Sequence, residues 1–332
     1  MNSFGRLFRV HIFGESHGAS VGITIDGCPA GLPIAEADFT EDIERRKGGM
    51  QKGTTPRQEE DKPIFYSGIY NGNTTGAPIT ILFENKNTRS GDYEKHRAIP
   101  RPGHADFVAH QKFGGHEDHR GGGHFSGRLT LCLVAAGVIA KKLLKETKVI
   151  ARITQIGGEA DIEKGLQKAI DAKDSVGGIV ECSVAGLPVG LGEPFFNSVE
   201  SLLAHAAFAI PAVKGIEFGA GFAAAQMFGT EHNDAIIDAR GKTKTNNAGG
   251  IVGGITNGNE LLFRIAVKPT SSTPKEQESW NKETETVEKF SVKGRHDLCI
   301  ALRVPPVLEA VTAMVLVDLL MAEQKIERVF NP

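Results

Sequence analysis

The stretch LFRVHIFGESHGASVGITIDG at residues 7–27 decides the fold class. Its centre, GESHG at 14–18, fits the G-x-S-x-G nucleophile elbow of serine hydrolases, which needs a strand, a tight turn and then a helix. Here the apolar strand at 7–13 is followed by the β-branched segment 21–27, which is typical of a second strand. The stretch therefore predicts an antiparallel hairpin, and a hydrolase with Ser16 as nucleophile is the disfavoured alternative.

Composition indicates a soluble globular protein and excludes several function classes. The 332 residues are 40% hydrophobic and 23% charged, and the net charge of −2 with one Trp argues against nucleic-acid binding. The longest apolar run, 131–140, is about half of what a bilayer requires, and the amino terminus lacks a secretory pattern. Four scattered cysteines are typical of buried thiols. We therefore expect a cytoplasmic protein that binds neither nucleic acid nor membrane.

The remaining pattern predicts one α+β domain over residues 1–332, with no repeat or linker. Helices are expected at 36–47, at 129–146, at 198–209 with Asn197 as the cap, and after Pro305-Pro306, where Leu308, Val311, Val315 and Leu319 share a face. Further strands are expected at 149–156, 178–185 and 261–267. Long glycine-rich ligand-binding loops are expected at about 45–60, 85–127 and 240–250.

Five of the eleven histidines lie in the loop segment 101–128. HEDH at 116–119 suggests a metal site, but no cysteine and no second histidine pair accompany it, so no metal is predicted. His104 differs from the other histidines because Asp106 follows it closely and is placed to orient or charge its imidazole, as a general acid requires.

Two features of the glycine-rich segments favour a small anionic ligand. GGGHFS at 121–126 precedes the buried helix, whose first turn offers backbone N–H groups to a phosphate or a flavin. Arg128 stands where a guanidinium can clamp an anion, and further cations occur in the loops although the total charge is slightly negative. This pattern indicates a small polyanionic substrate.

Seven segments in order resemble the chorismate synthase family, from residue 4 to about residue 320. They are FRVHIFGESHGASVGITIDGCPAGLP, RPGHAD, RGGGHFSGRLTLCLVAAGVIAKK, PAVKGIEFG, NNAGGIVGGITNG, KPTSS and GRHDLCIALRVPPVLEA. The resemblance implies a β-α-β sandwich, with two antiparallel sheets around central helices, assembled as a homotetramer. It also implies the last common step of the shikimate pathway to aromatic amino acids. In that step a lyase converts 5-enolpyruvylshikimate 3-phosphate to chorismate and phosphate by 1,4-anti elimination, using reduced FMN.

The resemblance also implies roles for individual residues. His17 would assist the departing phosphate, His104 would protonate the reduced flavin near N1, and Ser16 with Asp297 would form a proton relay near N5. The substrate would bind Arg45, Arg46, Arg101, Arg128 and Arg303, and NADP would bind Arg46 and Lys52. FMN would contact His124, Phe125, Ser126, Ala212, Gly253, Lys268, Pro269, Thr270, Ser271, Ser272 and Arg295.

The chain departs from the family pattern in its central loop. Where the family has RSSARE, this chain reads HFSGRL, so that His124 replaces an arginine, Phe125 a serine and Leu129 a glutamate. This motivates a second hypothesis, a flavin- or phosphate-binding homologue with impaired catalysis. The sequence also leaves open whether NADPH reduces the flavin on this chain or an external flavin reductase supplies it.

Overall fold

The amino-terminal strands form an antiparallel sheet that carries the predicted hairpin. The computed structural model describes residues 2–49, 52–56, 59–87, 95–292 and 296–330. The first strands are β1 Ser3–Phe4, β2 Arg9–Gly14, β3 Ser20–Asp26, β4 Ile64–Ser67, β5 Ile69–Tyr70, β6 Asn73–Thr74 and β7 Ile79–Glu84. Five of them are ordered β1-β2-β3-β7-β4, and β2 pairs with β3 antiparallel from Arg9 opposite Asp26 to Gly14 opposite Val21. The predicted hairpin is confirmed.

A second antiparallel sheet contains the three later strands that the sequence predicts. The later strands are β8 Lys148–Ile156, β9 Gly178–Ala185, β10 Val213–Phe218, β11 Ile251–Val252, β12 Ile255–Thr256, β13 Leu261–Val267, β14 Gln277–Asn281 and β15 Thr286–Phe290. The sheet order is β10-β13-β9-β8, while β11 with β12 and β14 with β15 form separate hairpins. Alternate residues of β13 are buried, so one face of this sheet covers the core.

Two long helices lie between the sheets. The helices are α1 Thr40–Arg46, α2 Lys95–Ala98, α3 Asp106–Phe113, α4 Thr130–Leu143, α5 Ile162–Ala172, α6 Val199–Ala207, α7 Gly229–His232 and α8 Pro305–Ala322. Helix α4 packs on β3 of the first sheet, and α8 packs on β8 and β9 of the second. The two helices touch each other where a Cβ on Gly137 would lie 2.2 Å from the Cβ of Ala310. The α+β sandwich is confirmed.

The structure corrects three details of the sequence reading. Helix α8 buries more than the predicted face of Leu308, Val311, Val315 and Leu319, because Pro306 to Leu320 are all buried. It is long and apolar enough to cross a membrane, but 83% of it is buried inside the protein, so it is a core helix. Helix α6 is capped by Ser198, whose side chain accepts the N–H of Ser201, and not by Asn197. The predicted loop at 85–127 contains α3.

A neutral four-charge network fastens α1, α4 and α8 to the second sheet. Glu309 on α8 lies 2.6 Å from Arg45 and 2.7 Å from Lys141, and it accepts the N–H of Ala151 on β8 at 2.9 Å. Asp42 binds the same two cations. Burial alone would raise the pKa of Glu309, but the hydrogen bond from Arg45 and the charge of Lys141 outweigh it and lower that pKa.

Replacement of Glu309 by Gln should destabilise the protein by about 2 kcal/mol at neutral pH, since Arg45 and Lys141 keep some solvent contact. The folded pKa lies below the unfolded value of about 4.3, so the ion-pair contribution is complete above that pH and is lost as pH falls through the folded pKa. Urea unfolding should therefore show a constant wild-type advantage at neutral pH that shrinks below about pH 4.

The control is Glu60→Gln, which removes a carboxylate from an exposed pair with Lys86. We expect it to leave the urea unfolding midpoint nearly unchanged at any pH, because both partners of this pair are exposed to solvent. Equal costs for the two variants would show that the Glu309 network does not fasten the helices.

Candidate active site

A cleft of about 710 Å³ opens between the amino-terminal sheet, α4 and α8. Its walls come from the loops that begin α3 and α4, from the chain after β13, and from the turn before α8. Six cationic side chains line it, namely Arg46, Lys47, Arg101, Arg128, Lys268 and Arg303, against the carboxylates Glu59, Asp61 and Asp297. The described wall is therefore positive, as a small polyanion requires.

His104 lines the cleft and is held from behind by a carboxylate. Its Nδ1 lies 2.6 Å from Oδ1 of Asp106, which also accepts two hydrogen bonds from the Arg101 guanidinium, at 2.7 and 2.8 Å. Burial alone would raise the pKa of Asp106, but the bonds from Arg101 and His104 hold it well below its usual range. Because an ionised Asp106 accepts from Nδ1–H, Nε2 is the nitrogen left for acid–base chemistry.

Three consecutive glycines separate His104 from the GESHG turn. Gly121, Gly122 and Gly123 all have positive φ. A Cβ on Gly121 would lie 2.5 Å from Nε2 of His17 and 3.0 Å from Oγ of Ser16. A Cβ on Gly122 would lie 3.4 Å from Nε2 of His104. The loop thus places both histidines against one stretch of bare backbone.

Ser16 and His17 are buried behind this loop. Ser16 is fully buried and His17 is 8% exposed, and neither lines the cleft. The N–H of Ser16 donates to the carbonyl of Gly123 at 3.1 Å, and the His124 ring lies 2.8 Å from the carbonyl of Gly14. A buried serine on a hairpin turn is unlike an exposed nucleophile elbow, so the hydrolase alternative loses its structural basis.

Two predicted substrate arginines share one buried carboxylate. Arg128 donates to Asp61 through a short hydrogen bond and to Asn85 at 3.0 Å. Arg46 lies 3.6 Å from the other oxygen of Asp61 and donates to the carbonyls of Gly127 and Arg128. Burial, followed by the charge of Arg303, lowers the pKa of Arg46 below its usual range. The sequence reading missed Asp61, because nothing in its local pattern marks it as a partner.

Arg303 and Asp297 form the opposite wall. Arg303 donates to Oδ2 of Asp297 at 3.0 Å and to the carbonyl of Arg46 at 2.9 Å. The N–H of Thr55 donates to Oδ1 of Asp297 at 2.8 Å. The predicted substrate arginine and relay carboxylate therefore hold each other at the cleft.

The segment after β13 contains features that suit a bound cofactor. Lys268 donates to the carbonyl of Gly103 at 2.6 Å and to Ser271 at 2.8 Å. Oγ1 of Thr270 is buried in the cleft wall with no hydrogen-bond partner among the described residues. Ala212, across from Lys268, holds a positive φ of 75°. An unpaired hydroxyl and a strained backbone beside a cationic cleft fit the polar edge of a flavin.

Most of the predicted site residues converge on this cleft, but several do not line it. Arg101, Arg128, His124, Phe125, Ser126 and Ala212 are there with residues 268–272. Arg45 is bound in the Glu309 network, Lys52 donates to Gln167 at 2.9 Å, and Gly253 lies in the turn between β11 and β12. Arg295 lies outside the described residues.

The histidine-rich loop does not assemble a metal centre. Within the described ranges, no three His, Cys, Asp or Glu side chains form a group that would hold a metal ion. The four cysteines are buried and free, and burial raises the pKa of Cys132 beside Arg46 to about 12. Thiolate chemistry at neutral pH is therefore not available from Cys132.

Comparison with known proteins identifies the family of this chain. The protein-family model described as chorismate synthase matches residues 8–321 of this chain. A curated chorismate synthase from Chitinophaga pinensis is 71% identical over 332 residues, which is 100% of both chains. One from Dehalococcoides mccartyi is 45% identical and covers 99% of each chain. A crystal structure of chorismate synthase superposes with a TM-score of 0.73 at 24% identity, covering 96% of this chain and 93% of that chain, and so shares the fold. The chain therefore belongs to the chorismate synthase family, a family of shikimate-pathway lyases.

Proposed function

We propose that this protein converts 5-enolpyruvylshikimate 3-phosphate to chorismate and phosphate by 1,4-anti elimination, with reduced FMN as its cofactor. The observation that carries the proposal is that His104 lines a cationic cleft while His17 lies directly behind the Gly121–Gly122 backbone that borders it. In the reaction one C–H bond and one C–O bond of the substrate break and a second ring double bond forms. The hydrogen leaves as a proton and the C–O electron pair leaves with phosphate.

The charge of the cleft suits this substrate. The substrate carries two carboxylates and one phosphate, and Arg101, Arg128 and Arg303 would bind them with Arg46 behind. Each of these guanidiniums already has a partner in the wall, such as Asp106 for Arg101 and Asp61 for Arg128. This pairing holds them in place, and the excess of cations leaves net positive charge for the ligand.

Two imidazoles, those of His17 and His104, would transfer protons. His17, with Nε2 against the glycine loop, would give a proton to an oxygen of the departing phosphate. His104, whose Nδ1 is fixed on Asp106, would hold a proton on Nε2 toward the cofactor. Ser16 and Asp297 would form a relay for the proton that leaves the substrate.

The cofactor would lie against residues 268–272, Ala212 and the 124–126 segment, where Thr270 offers an unpaired hydroxyl. When bound, reduced FMN supplies electron density to the substrate as the phosphate departs. We also propose that NADPH, acting at Arg46 and Lys52, or an external flavin reductase keeps it reduced. Lys52 is exposed enough for such contact, whereas Arg46, the last residue of α1, is 2% exposed and would need the end of that helix to move.

We further propose a cytoplasmic homotetramer. Phe195, Phe196, Phe222 and Phe228 are each more than three-quarters exposed, which is unusual for a protein that stays monomeric. Sedimentation of the purified chain should therefore give about four times the monomer mass of 35.5 kDa. A monomer at micromolar concentration would contradict the tetramer without touching the proposed reaction.

The reaction itself is tested under anaerobic conditions with purified protein, chemically reduced FMN and 5-enolpyruvylshikimate 3-phosphate. We expect chorismate and phosphate in equal amounts, and none with oxidised FMN. Tight binding of flavin and substrate without product would instead support the impaired homologue that the HFSGRL loop suggests. A serine-reactive fluorophosphonate should not label Ser16, since that side chain is fully buried.

The glycine loop gives a sharper mutational test. Gly121→Ala places a methyl group 2.5 Å from the His17 ring at a positive φ, so it should displace His17 and lower turnover by about 10²-fold or more. The control is Gly229→Ala at the start of α7, where a Cβ has nothing within 4 Å. Steady-state rates of both variants check the prediction. Wild-type turnover in Gly121→Ala would remove His17 from the proposed chemistry.

A further inference from the structure

His104 has a second face that the cleft does not use. A separate cavity of about 30 Å³ lies behind it, lined by His104, Asp106, His110, Glu117, Asp118 and His119 among others. His104 and Phe125 border both this cavity and the cleft. The volume is sufficient for a water molecule, and the wall is polar enough to hold one.

Two polar atoms of this wall are unpaired. Oε2 of Glu117 and Nε2 of His119 are both buried, and neither has a hydrogen-bond partner within the described part of the chain. The other carboxylate oxygen of Glu117 lies 3.2 Å from Nδ1 of His110, which fixes the orientation of the carboxylate. A water in the cavity would give these two atoms the partner that buried polar atoms normally have.

The other two carboxylates of the cavity are held ionised by arginines. Arg120 donates to Asp118 at 2.8 and 2.9 Å, and these bonds lower the pKa of Asp118. Asp106 is held in the same way by Arg101. Neither carboxylate is therefore suited to pass a proton near neutral pH, and His119, with the Glu117 carboxylate in the same wall, is left for that task.

We propose that Glu117 and His119 form a proton relay, through water in this cavity, between solvent and His104. The proposal rests on the proposed function, in which His104 exchanges a proton with the ligands of the cleft. A cleft filled by cofactor and substrate would block the direct solvent path to His104. The cavity behind it would keep His104 supplied without opening the cleft.

The transfer conserves protons at each step. His119 as imidazolium gives its Nε2 proton to the cavity water, and the water gives one of its own protons to Nε2 of His104. Glu117 stabilises the positive charge while it passes. The neutral His119 ring then turns its vacated Nε2 to solvent and regains a proton there, and the reverse sequence removes a proton from His104.

Other charges around His104 set the field in which this relay works. Asp106 and Arg101 flank it from its own segment, and Lys268 approaches through the carbonyl of Gly103. The remaining charged or titratable groups of the cavity are Arg97 from α2, Lys282 after β14, and His110 and Asp118. Of the three carboxylates that line the cavity, Glu117 is the one that can be neutralised without breaking an ion pair with an arginine, because its partner is His110.

The first test needs neither cofactor nor turnover. Protein with ¹³C-labelled histidine is titrated by NMR, with the His104 signal assigned by its loss in His104→Gln. In Glu117→Gln the His104 signal should titrate at lower pH than in the wild type, because the cavity that both residues line then holds one negative charge fewer. The matched control is His116→Gln, which changes an exposed histidine of the same loop that does not line the cavity.

The second test uses the assay with reduced FMN. His119→Gln should lower turnover about tenfold with little change in KM, and added imidazole should restore most of the rate by carrying the proton instead. His116→Gln should match the wild type. A structural role for His119 would not give rescue by imidazole.

The outcomes separate this proposal from the proposed function. If the His104 midpoint is unchanged in Glu117→Gln, or if imidazole does not rescue His119→Gln, the relay is overturned while chorismate formation by the wild type stands. If the wild type forms no chorismate, the proposed function fails, and the NMR titration still decides whether Glu117 and His104 are coupled.

Discussion

Bare backbone at residues 121–123 is the constraint on which the site depends. Each of the three glycines has a positive φ, and each faces a different obstacle. A side chain at Gly121 would collide with His17, one at Gly123 would collide with the carbonyl of Asp118 at 1.9 Å, and one at Gly122 would make a tight contact with the His104 ring at 3.3 Å. Only a loop without Cβ atoms can therefore bring the hairpin turn and the His104 segment to one place. Neighbouring bonds from Ser16 to Gly123 and from His124 to Gly14 then fix the loop on the hairpin.

Charged side chains are balanced at the contact of α1, α4 and α8, whereas cations are in excess at the cleft. At the α1, α4 and α8 contact, Arg45 and Lys141 meet Asp42 and Glu309, so the buried charge sums to zero. At the cleft, Asp61 serves both Arg46 and Arg128, and the cations outnumber the carboxylates. The first arrangement stabilises the fold by itself, whereas the second leaves positive charge that only an anionic ligand can neutralise. The difference explains why two adjacent arginines, Arg45 and Arg46, belong to different parts of the protein.

Local pattern was sufficient for several of the elements and insufficient for their partners. The hairpin of β2 and β3 and the strands β8, β9 and β13 follow from alternation and β-branched residues. Strand β10 and the all-round burial of α8 do not, because burial of a helix on every side depends on sheets that are distant in sequence. The same limit applies to the site. The pairing of His104 with Asp106 is readable from adjacent residues, but the partner of Arg128 is 67 residues away at Asp61, and that of Arg45 is 264 residues away at Glu309.

The altered loop HFSGRL can be understood from what its side chains contact. His124 lies against a backbone carbonyl of the hairpin, so this imidazole fastens the loop by a hydrogen bond. Leu129 is 7% exposed and joins the core, a position in which a glutamate would need a partner of its own. Ser126 still accepts the N–H of Arg128 at the start of the helical turn, and Arg128 still reaches Asp61. With these residues the loop is attached to the hairpin through His124, and the arginine and the helix start are held in place. That is the physical reason to expect a working site from an unusual sequence.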